Sequence, residues 1–457
     1  MKEILKQDIA VQKIIRTQQM KSEKLYKWSQ FVLPFEFGGR SCIFHTLTRQ
    51  GFEITDRLPS VSACFSYGQI KEDAVLTTLM QGYFLVPIDK DECAFYENVN
   101  KLMRLLNRSR NDGYAGYTVL PTFGCNAHCI YCYENGRERQ SMSSKMVEKT
   151  IAFILATRRK QHTLHLNWFG GEPLMEENAI DRICNALKDN GINYYSSMIS
   201  NGSLITEKIA RKMSDAECWN LKDIQISMDC AEQEYVRRKN YCRYDNAYWR
   251  VMENVNILMR HGVQVRIRCN VDEENVDEIP AFLDDLKKTI QDRSSLPVYF
   301  APLYDSRPLP GHEQLWEKIF AAWNLTEQAG FQPAVAIDIS KLKVFSCMAD
   351  NVSGNVVIAP NGDLYRCEHC IPGTSYGDIE HGVTRPGILA SFANPAQTRD
   401  KCRRCVMLPI CTSFAKCPLS TDGCQEIMDK TILYALHWKC KETSTFSHGE
   451  VDTQPNC

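Results

Sequence analysis

Between residues 117 and 310 short apolar runs alternate with helical patterns six times. This alternation constrains the fold more than any other feature of the 457-residue chain. The runs fall at 118–123, 163–169, 194–200, 221–229, 263–271 and 296–303, and the clearest helical pattern, 246–262, ends at Gly262 as a C-cap would. Strand–helix alternation packs best as a parallel sheet with right-handed crossovers. Six units predict an α/β fold, a partial (β/α)6 TIM-like barrel, with ligands at the C-terminal ends of the strands. A doubly wound open sheet is the alternative.

The first of those strand ends runs into PTFGCNAHCIYCYENG, where Cys125, Cys129 and Cys132 are spaced Cys-x3-Cys-x2-Cys. Four cysteines close a [4Fe–4S] cube, so three leave one iron free for a small molecule. Zinc sites more often open with a Cys-x2-Cys pair and find a second pair downstream. One βα unit later the second strand ends in Trp168-Phe169-Gly170-Gly171-Glu172-Pro173. Paired glycines permit close backbone approach to a ligand, and the Glu172 carboxylate can accept hydrogen bonds from an ammonium. Alone, this run also reads as an ordinary Gly-rich turn.

Composition narrows the classes. Lys+Arg at 54 against Asp+Glu at 55 gives a formal charge of -1, so no global field marks a nucleic-acid binder. The basic first thirty residues are explained as well by a solvated helix as by a partner. No apolar run approaches the ~20 residues of a membrane span. The start, MKEILKQDIAVQKII, lacks the apolar core of a signal peptide. Twenty-one cysteines in such a chain argue against a disulfide framework and for metal ligation in a reducing cytoplasm.

The triplet and the Gly-Gly-Glu-Pro run together resemble the radical S-adenosylmethionine (SAM) enzymes. The resemblance implies a cluster whose free iron chelates the amino and carboxylate groups of SAM and, when reduced, cleaves it to a 5′-deoxyadenosyl radical. It also implies that Gly170, Gly171, Glu172 and Pro173 hold the SAM amino group and that Tyr131 abuts the adenine. Ser200-Asn201-Gly202 is similar to the family's T/S-N-G turn. Ser227 and Asp229 lie in ISMD, where relatives read I-S-x-D-G and approach the ribose and the SAM carboxylate; Cys230 takes the place of the Gly. A basic residue is expected some ten positions on, and Arg237 and Arg238 both qualify. Arg268 on the fifth strand points to either face. Solvated loop is the alternative for all these polar strand ends.

Ten cysteines lie from Cys347 onward. Cys347-x14-Gly362-x4-Cys367, then Cys402-x2-Cys405-x5-Cys411-x5-Cys417, then Cys424 and Cys440, resembles the SPASM extension of radical SAM enzymes, which carries auxiliary [4Fe–4S] clusters. The five residues between Cys411 and Cys417 depart from the three of that pattern. The resemblance implies Cys347, Cys367 and Cys417 on a first auxiliary cluster, with Cys370 as a fourth ligand or an open iron. It implies Cys402, Cys405 and Cys411 on a second, closed by Cys424 or Cys440. A zinc ribbon on Cys402, Cys405, Cys411 and Cys417 is the alternative. Glu368 stands beside Cys367 where formylglycine-forming relatives carry a catalytic Asp; base and idle surface residue are both open to it.

Residues 25–112 read as a hairpin with helices, similar to the winged-helix module that captures a leader peptide as an added strand, or as a structural cap. Domains are expected at 1–112 (winged-helix-like recognition), 113–310 (radical SAM core) and 311–457 (cysteine-rich cluster domain). The resemblance implies a cytoplasmic peptide maturase with a ribosomal precursor peptide as substrate and a flavodoxin- or ferredoxin-type electron donor. A thioether crosslink is the expected product. A sulfatase-maturating enzyme is the first alternative, and a non-catalytic iron–sulfur or zinc protein the second.

Overall fold

The computed structural model describes residues 1–15, 18, 20–55, 60, 62–108, 113–242, 246–303, 312–334, 339, 354–370, 372–393, 400–410 and 432–441. The chain enters each of two compact units more than once. One gathers Met1–Ser109, Ile337–Cys347 and Pro395–Cys457; the other gathers Arg110–Ala336 and Met348–Asn394.

In the first unit, β1 (Lys2–Leu5) and α1 (Ile9–Ile14) precede β2 (Tyr26–Trp28), β3 (Val32–Phe37), β4 (Arg40–His45), β5 (Gly51–Glu53) and β6 (Cys64–Phe65). Helices α2 (Tyr67–Glu72) and α3 (Ala74–Gln81), strand β7 (Leu85–Pro87) and helix α4 (Glu92–Arg108) follow. Two small antiparallel sheets result, β1-β5-β4-β3 and β6-β2-β7. The β3–β4 hairpin turns on Gly38 and Gly39 at φ +56° and +74°. Left-handed backbone at both central positions matches the twist of the flanking strands. Phe35, Cys42 and Phe44 from this hairpin share a core with Ile410 and with Ile432, Leu436 and Cys440 of the helix at 432–441.

The second unit is built on β8 (Gly116–Val119), β9 (Leu164–Trp168), β10 (Tyr194–Ser200), β11 (Leu221–Met228), β12 (Gln264–Val271), β13 (Pro297–Pro302) and β14 (Gln332–Pro333). Between them lie α5 (Ser144–Thr157), α6 (Glu177–Asp189), α7 (Glu207–Ser214), α8 (Glu232–Lys239), α9 (Ala247–Arg260), α10 (Ile279–Thr289) and α11 (His312–Gln328). The strands pair in parallel in strict chain order. A doubly wound sheet would reverse its order at a switch point; this one does not, and it is a partly open barrel. Side chains alternate by face. Leu164, Leu166 and Trp168 on β9, and Ile224, Ile226 and Met228 on β11, are buried, whereas His165, Asn167, Gln225 and Ser227 are half-buried. The apolar face therefore meets the helices and the polar face lines the barrel interior.

The sheet also extends beyond β8. Strand β15 (Asn355–Ile358) pairs in parallel with β8, and β16 (Asp363–Tyr365), β17 (Gly377–Asp378) and β18 (Gly382–Val383) follow antiparallel. Gly362 of the cysteine pattern sits in the β15–β16 turn at φ +87°, a conformation that favours glycine. No helix among the described residues is long and apolar enough to cross a membrane.

Candidate functional site

The cysteine loop leaves β8 and crosses the C-terminal ends of the barrel strands. Cys129 and Cys132 bound a tight turn in which Cys132 N–H donates to Cys129 O at 3.0 Å. The same bond at the same length closes the turn of Cys367 and Cys370, and that of Cys402 and Cys405. Burial pushes the Cys125 thiol up to about 12 and raises Cys129 and Cys132 as well. Cys125 and Cys132 each lie within electrostatic reach of Cys129. A bound metal supplies the charge that turns such thiols into thiolates.

Gly170 and Gly171 lock this loop to the end of β9. A Cβ on Gly171 would lie 2.2 Å from the Gly124 carbonyl oxygen, and one on Gly170, at φ +122°, 2.4 Å from that of Thr122. Their smallness is thus spent on backbone contact, reinforced by Gly171 N–H to Thr122 O at 3.1 Å and Glu172 N–H to Gly124 O at 2.9 Å. Pro173 opens a short 3-10 turn and is buried. The fully buried Glu172 carboxylate accepts from Ser200 Oγ at 2.9 Å, Asn201 N–H at 2.8 Å and Leu174 N–H at 3.2 Å. Burial pushes its pKa up to about 7. Asn201 in turn donates from Nδ2 to Asn126 Oδ1 at 2.8 Å and lies 3.7 Å from Cys125 Sγ. Glu172 and Asn201 therefore knit the ends of β9 and β10 to the cysteine loop.

A second network lies across the ends of β11 and β12. Tyr131 Oη donates to Asp229 Oδ2 at 2.8 Å and accepts from Asn270 Nδ2 at 3.2 Å. Arg238, buried, reaches Asp229 through Nε at 3.4 Å and Asp272 through NH2 at 2.5 Å, its guanidinium 5.4 Å from the Tyr131 ring centre. Arg237 points outward to Glu234 and Glu274, so of the two arginines only Arg238 joins the network. Ser227 is half-buried in register with Arg268, whose Nε donates to Asn270 Oδ1 at 3.0 Å.

A further residue of this network, Lys239, carries no motif of its own in the sequence. Its buried ammonium lies 3.6 Å from Asp229 Oδ2. Burial, the largest influence, opposes its charge, but Tyr131, Cys129 and Asp229 outweigh it and raise the pKa well above the usual lysine value. Its position, ten residues after Asp229 in the run Arg237-Arg238-Lys239, was the available signal.

The turn at Cys367–Cys370 packs on the same loop. Arg137 NH2 donates to His369 O at 2.9 Å and to Cys370 O at 3.1 Å, and the rings of Tyr133 and His369 are 4.5 Å apart. Cys367 Sγ is 3.2 Å from His369 Nδ1, Cys370 is buried, and Glu368 is half-buried beside them. Cys402, Cys405 and Cys440 belong to the other unit, where Cys440 is buried against Cys42. Cys347, Cys411, Cys417 and Cys424 fall outside the described residues.

Residues 119–286 match the model of the radical SAM superfamily. An uncharacterized protein of Methanocaldococcus jannaschii is 26% identical over 174 residues, 38% of this chain and 58% of that protein. The chain thus spans little more than half of that relative. A serine-type anaerobic sulfatase-maturating enzyme of Klebsiella aerogenes is 23% identical over 326 residues, 65% of this chain and 78% of that enzyme. Among solved structures, native anSMEcpe with bound AdoMet superposes with a TM-score of 0.55 at 15% identity, over 72% of this chain and all of that one. SuiB of Streptococcus suis bound to precursor peptide SuiA gives 0.50 at 13% identity, over 88% of this chain and 98% of that one.

Proposed function

The chain carries a radical SAM domain, the module of an enzyme of radical chemistry that uses a [4Fe–4S] cluster and SAM, and we propose that this one matures a ribosomally made precursor peptide. The residues present fit the cluster. Three half-buried thiols share one loop, with Lys239 within electrostatic reach of Cys129. The Cys125 and Cys132 thiols both lie within electrostatic reach of Cys129, and four-iron cubes take thiolate ligands. Cys125, Cys129 and Cys132 would hold it. When bound, cluster and SAM supply a 5′-deoxyadenosyl radical that abstracts hydrogen from the peptide.

The observation that carries this reading is the Glu172–Asn201 network, which fixes the cysteine loop relative to the ends of β9 and β10. Gly170, Gly171 and Pro173 shape that turn. Lys239, Arg238 and Asp229 form a charged patch suited to the carboxylate and hydroxyl groups of SAM, with Tyr131 walling its adenine and Ser200 and Ser227 completing the rim. The polar interior, where His165 Nε2 meets Ser197 Oγ at 2.8 Å and Tyr299 Oη meets Gln225 Oε1 at 2.7 Å, offers hydrogen bonds to a peptide backbone. Cys367 and Cys370, in a turn like that of Cys129 and Cys132, would serve an auxiliary cluster with Cys347 and Cys417. Cys402, Cys405, Cys411 and either Cys424 or Cys440 would serve a second. The precursor's leader is captured by the N-terminal module, whose β6-β2-β7 sheet would take it as an added strand, and a flavodoxin- or ferredoxin-type carrier supplies the electron. SuiB, whose structure holds a precursor peptide, supports the peptide partner.

A thioether crosslink is the product we favour. Likeness to sulfatase-maturating enzymes supports formylglycine formation as the second reading, with Glu368 as base. In anaerobically reconstituted protein, Cys129→Ala should abolish 5′-deoxyadenosine formation; persistent cleavage would refute the site. Tandem mass spectrometry of the modified peptide separates the products, since a thioether joins two residues and formylglycine alters one.

A further inference from the structure

Within the unit that gathers the N-terminal sheets and 395–457 lies a cavity of about 600 Å³. Its walls are Gln30 after β2, Lys90, Asp91, Glu92 and Cys93 at the β7–α4 turn, and Arg403 and Arg404 inside the Cys402–Cys405 turn. That volume is in the roughly 300–1,000 Å³ range of built ligand sites. The wall is held together: Gln30 Nε2 donates to Arg403 O at 3.1 Å, and Gln30 N–H donates to Glu92 Oε2 at 3.0 Å.

The charges on this wall do not cancel. Glu92 turns inward, buried, and spends both oxygens on Ser29 and Gln30. Asp91 accepts the Ala94 N–H at 2.9 Å and lies 3.8 Å from Arg403, beyond hydrogen-bond range. Arg404 meets no carboxylate among the described residues. The Lys90 ammonium stands 3.7 Å from the ring centre of Phe95 and 4.5 Å from that of Tyr83. Burial lowers its pKa to about 8, so its charge is poorly hydrated and gains from an incoming anion. Three cations thus face a concave space with one weakly engaged carboxylate.

We propose that this cavity binds a carboxylate-rich stretch of extended peptide, an Asp- or Glu-bearing segment of the precursor. The inference rests on the peptide-maturase reading and adds to it a second contact, made by side-chain charge rather than by strand addition. The lysine held against Phe95 and Tyr83 and the two exposed arginines suit the separate carboxylates of an extended chain.

The test uses the full chain, anaerobically reconstituted, titrated with fluorescein-labelled hexaglutamate, hexaserine and hexalysine. Hexaglutamate should bind about tenfold more tightly than hexaserine at low salt, a preference that shrinks as salt screens it. Arg404→Ser and Lys90→Gln, on separate segments, should each weaken hexaglutamate roughly three- to tenfold, with wild-type iron content reporting an intact fold. Equal binding of the three peptides, or a preference that both variants leave untouched, overturns the proposal. So does wild type that ignores hexaglutamate while both variants slow reduction by reduced flavodoxin, which would make this a carrier-docking surface. Peptide binding is read independently of 5′-deoxyadenosine formation. Active protein without acidic preference sinks only this inference, and inactive protein sinks the enzyme reading.

Discussion

His45 illustrates how far burial can set the chemistry of one residue. Its ring is fully buried, and Thr48 N–H donates to Nδ1 at 3.1 Å, so Nδ1 carries no proton. Nε2–H then donates to Ser29 Oγ at 3.2 Å, and Ser29 passes its own hydroxyl to Glu92. Burial lowers the His45 pKa to about 3, below the usual 6.5. The unfolded chain therefore takes up a proton below pH 6.5 that the folded chain refuses, and stability falls as pH falls. One such group contributes about 1.4 kcal/mol per pH unit well below 6.5. Glu92, raised by burial, acts in the opposite sense, so the informative quantity is the difference between wild type and His45→Gln in denaturant titrations at each pH. That difference should shrink from pH 7 to pH 5; a constant difference would mean the ring is protonated in the fold. Gly171 shows the complementary constraint, of space. Gly171→Ala places a carbon 2.2 Å from a carbonyl oxygen of the cysteine loop, where one of the two backbones must move. A cost of about 1–3 kcal/mol is expected, together with fewer irons per chain after reconstitution. Full iron loading would show that the loop tolerates the shift.

At the scale of elements, the barrel was legible because each parallel strand is a short apolar run bounded by turn residues. The expected run 194–200 coincides with β10, and 221–229, 263–271 and 296–303 overrun β11, β12 and β13 by one or two residues. The run 118–123 overshot β8, which ends at Val119 because the chain bends there into the cysteine loop. Strand β15 was invisible for a different reason. Its four residues, Asn355–Ile358, are strand-like only because β8, more than two hundred positions earlier, offers a free edge. Local patterning carries no trace of such a pairing. The site divided in the same way. Cysteine spacing and Gly-Gly-Glu-Pro stood out as motifs, whereas Lys239, Asn126 and Asn270 acquire meaning only when three strand ends converge. The two glycines were legible as a close approach, but the surface they approach is the chain's own backbone at Thr122 and Gly124.

For the whole molecule, the consequence is that neither compact unit is one continuous stretch of sequence. The N-terminal hairpin owes its core to a helix near the other end of the chain, where Leu436 is fully buried with Phe35 and Phe44. Removing residues 25–112 to test leader capture would therefore strip that helix of its partners, and a point change probes the organisation more cleanly. Leu436→Ala deletes buried carbons and should cost roughly 2–5 kcal/mol, the cost rising with how little the site can collapse. If the two units unfold separately, that cost falls on one of them. Hydrogen–deuterium exchange should then quicken in peptides covering β3 and β4, although they lie some four hundred residues from the substitution. Peptides covering β11 and β12 should keep their protection, and with it the cysteine loop its mooring at Asp229 and Asn270. Equal acceleration in both sets would mean that the chain unfolds as one cooperative block. Acceleration confined to 432–441 would mean that the hairpin stands without its helix.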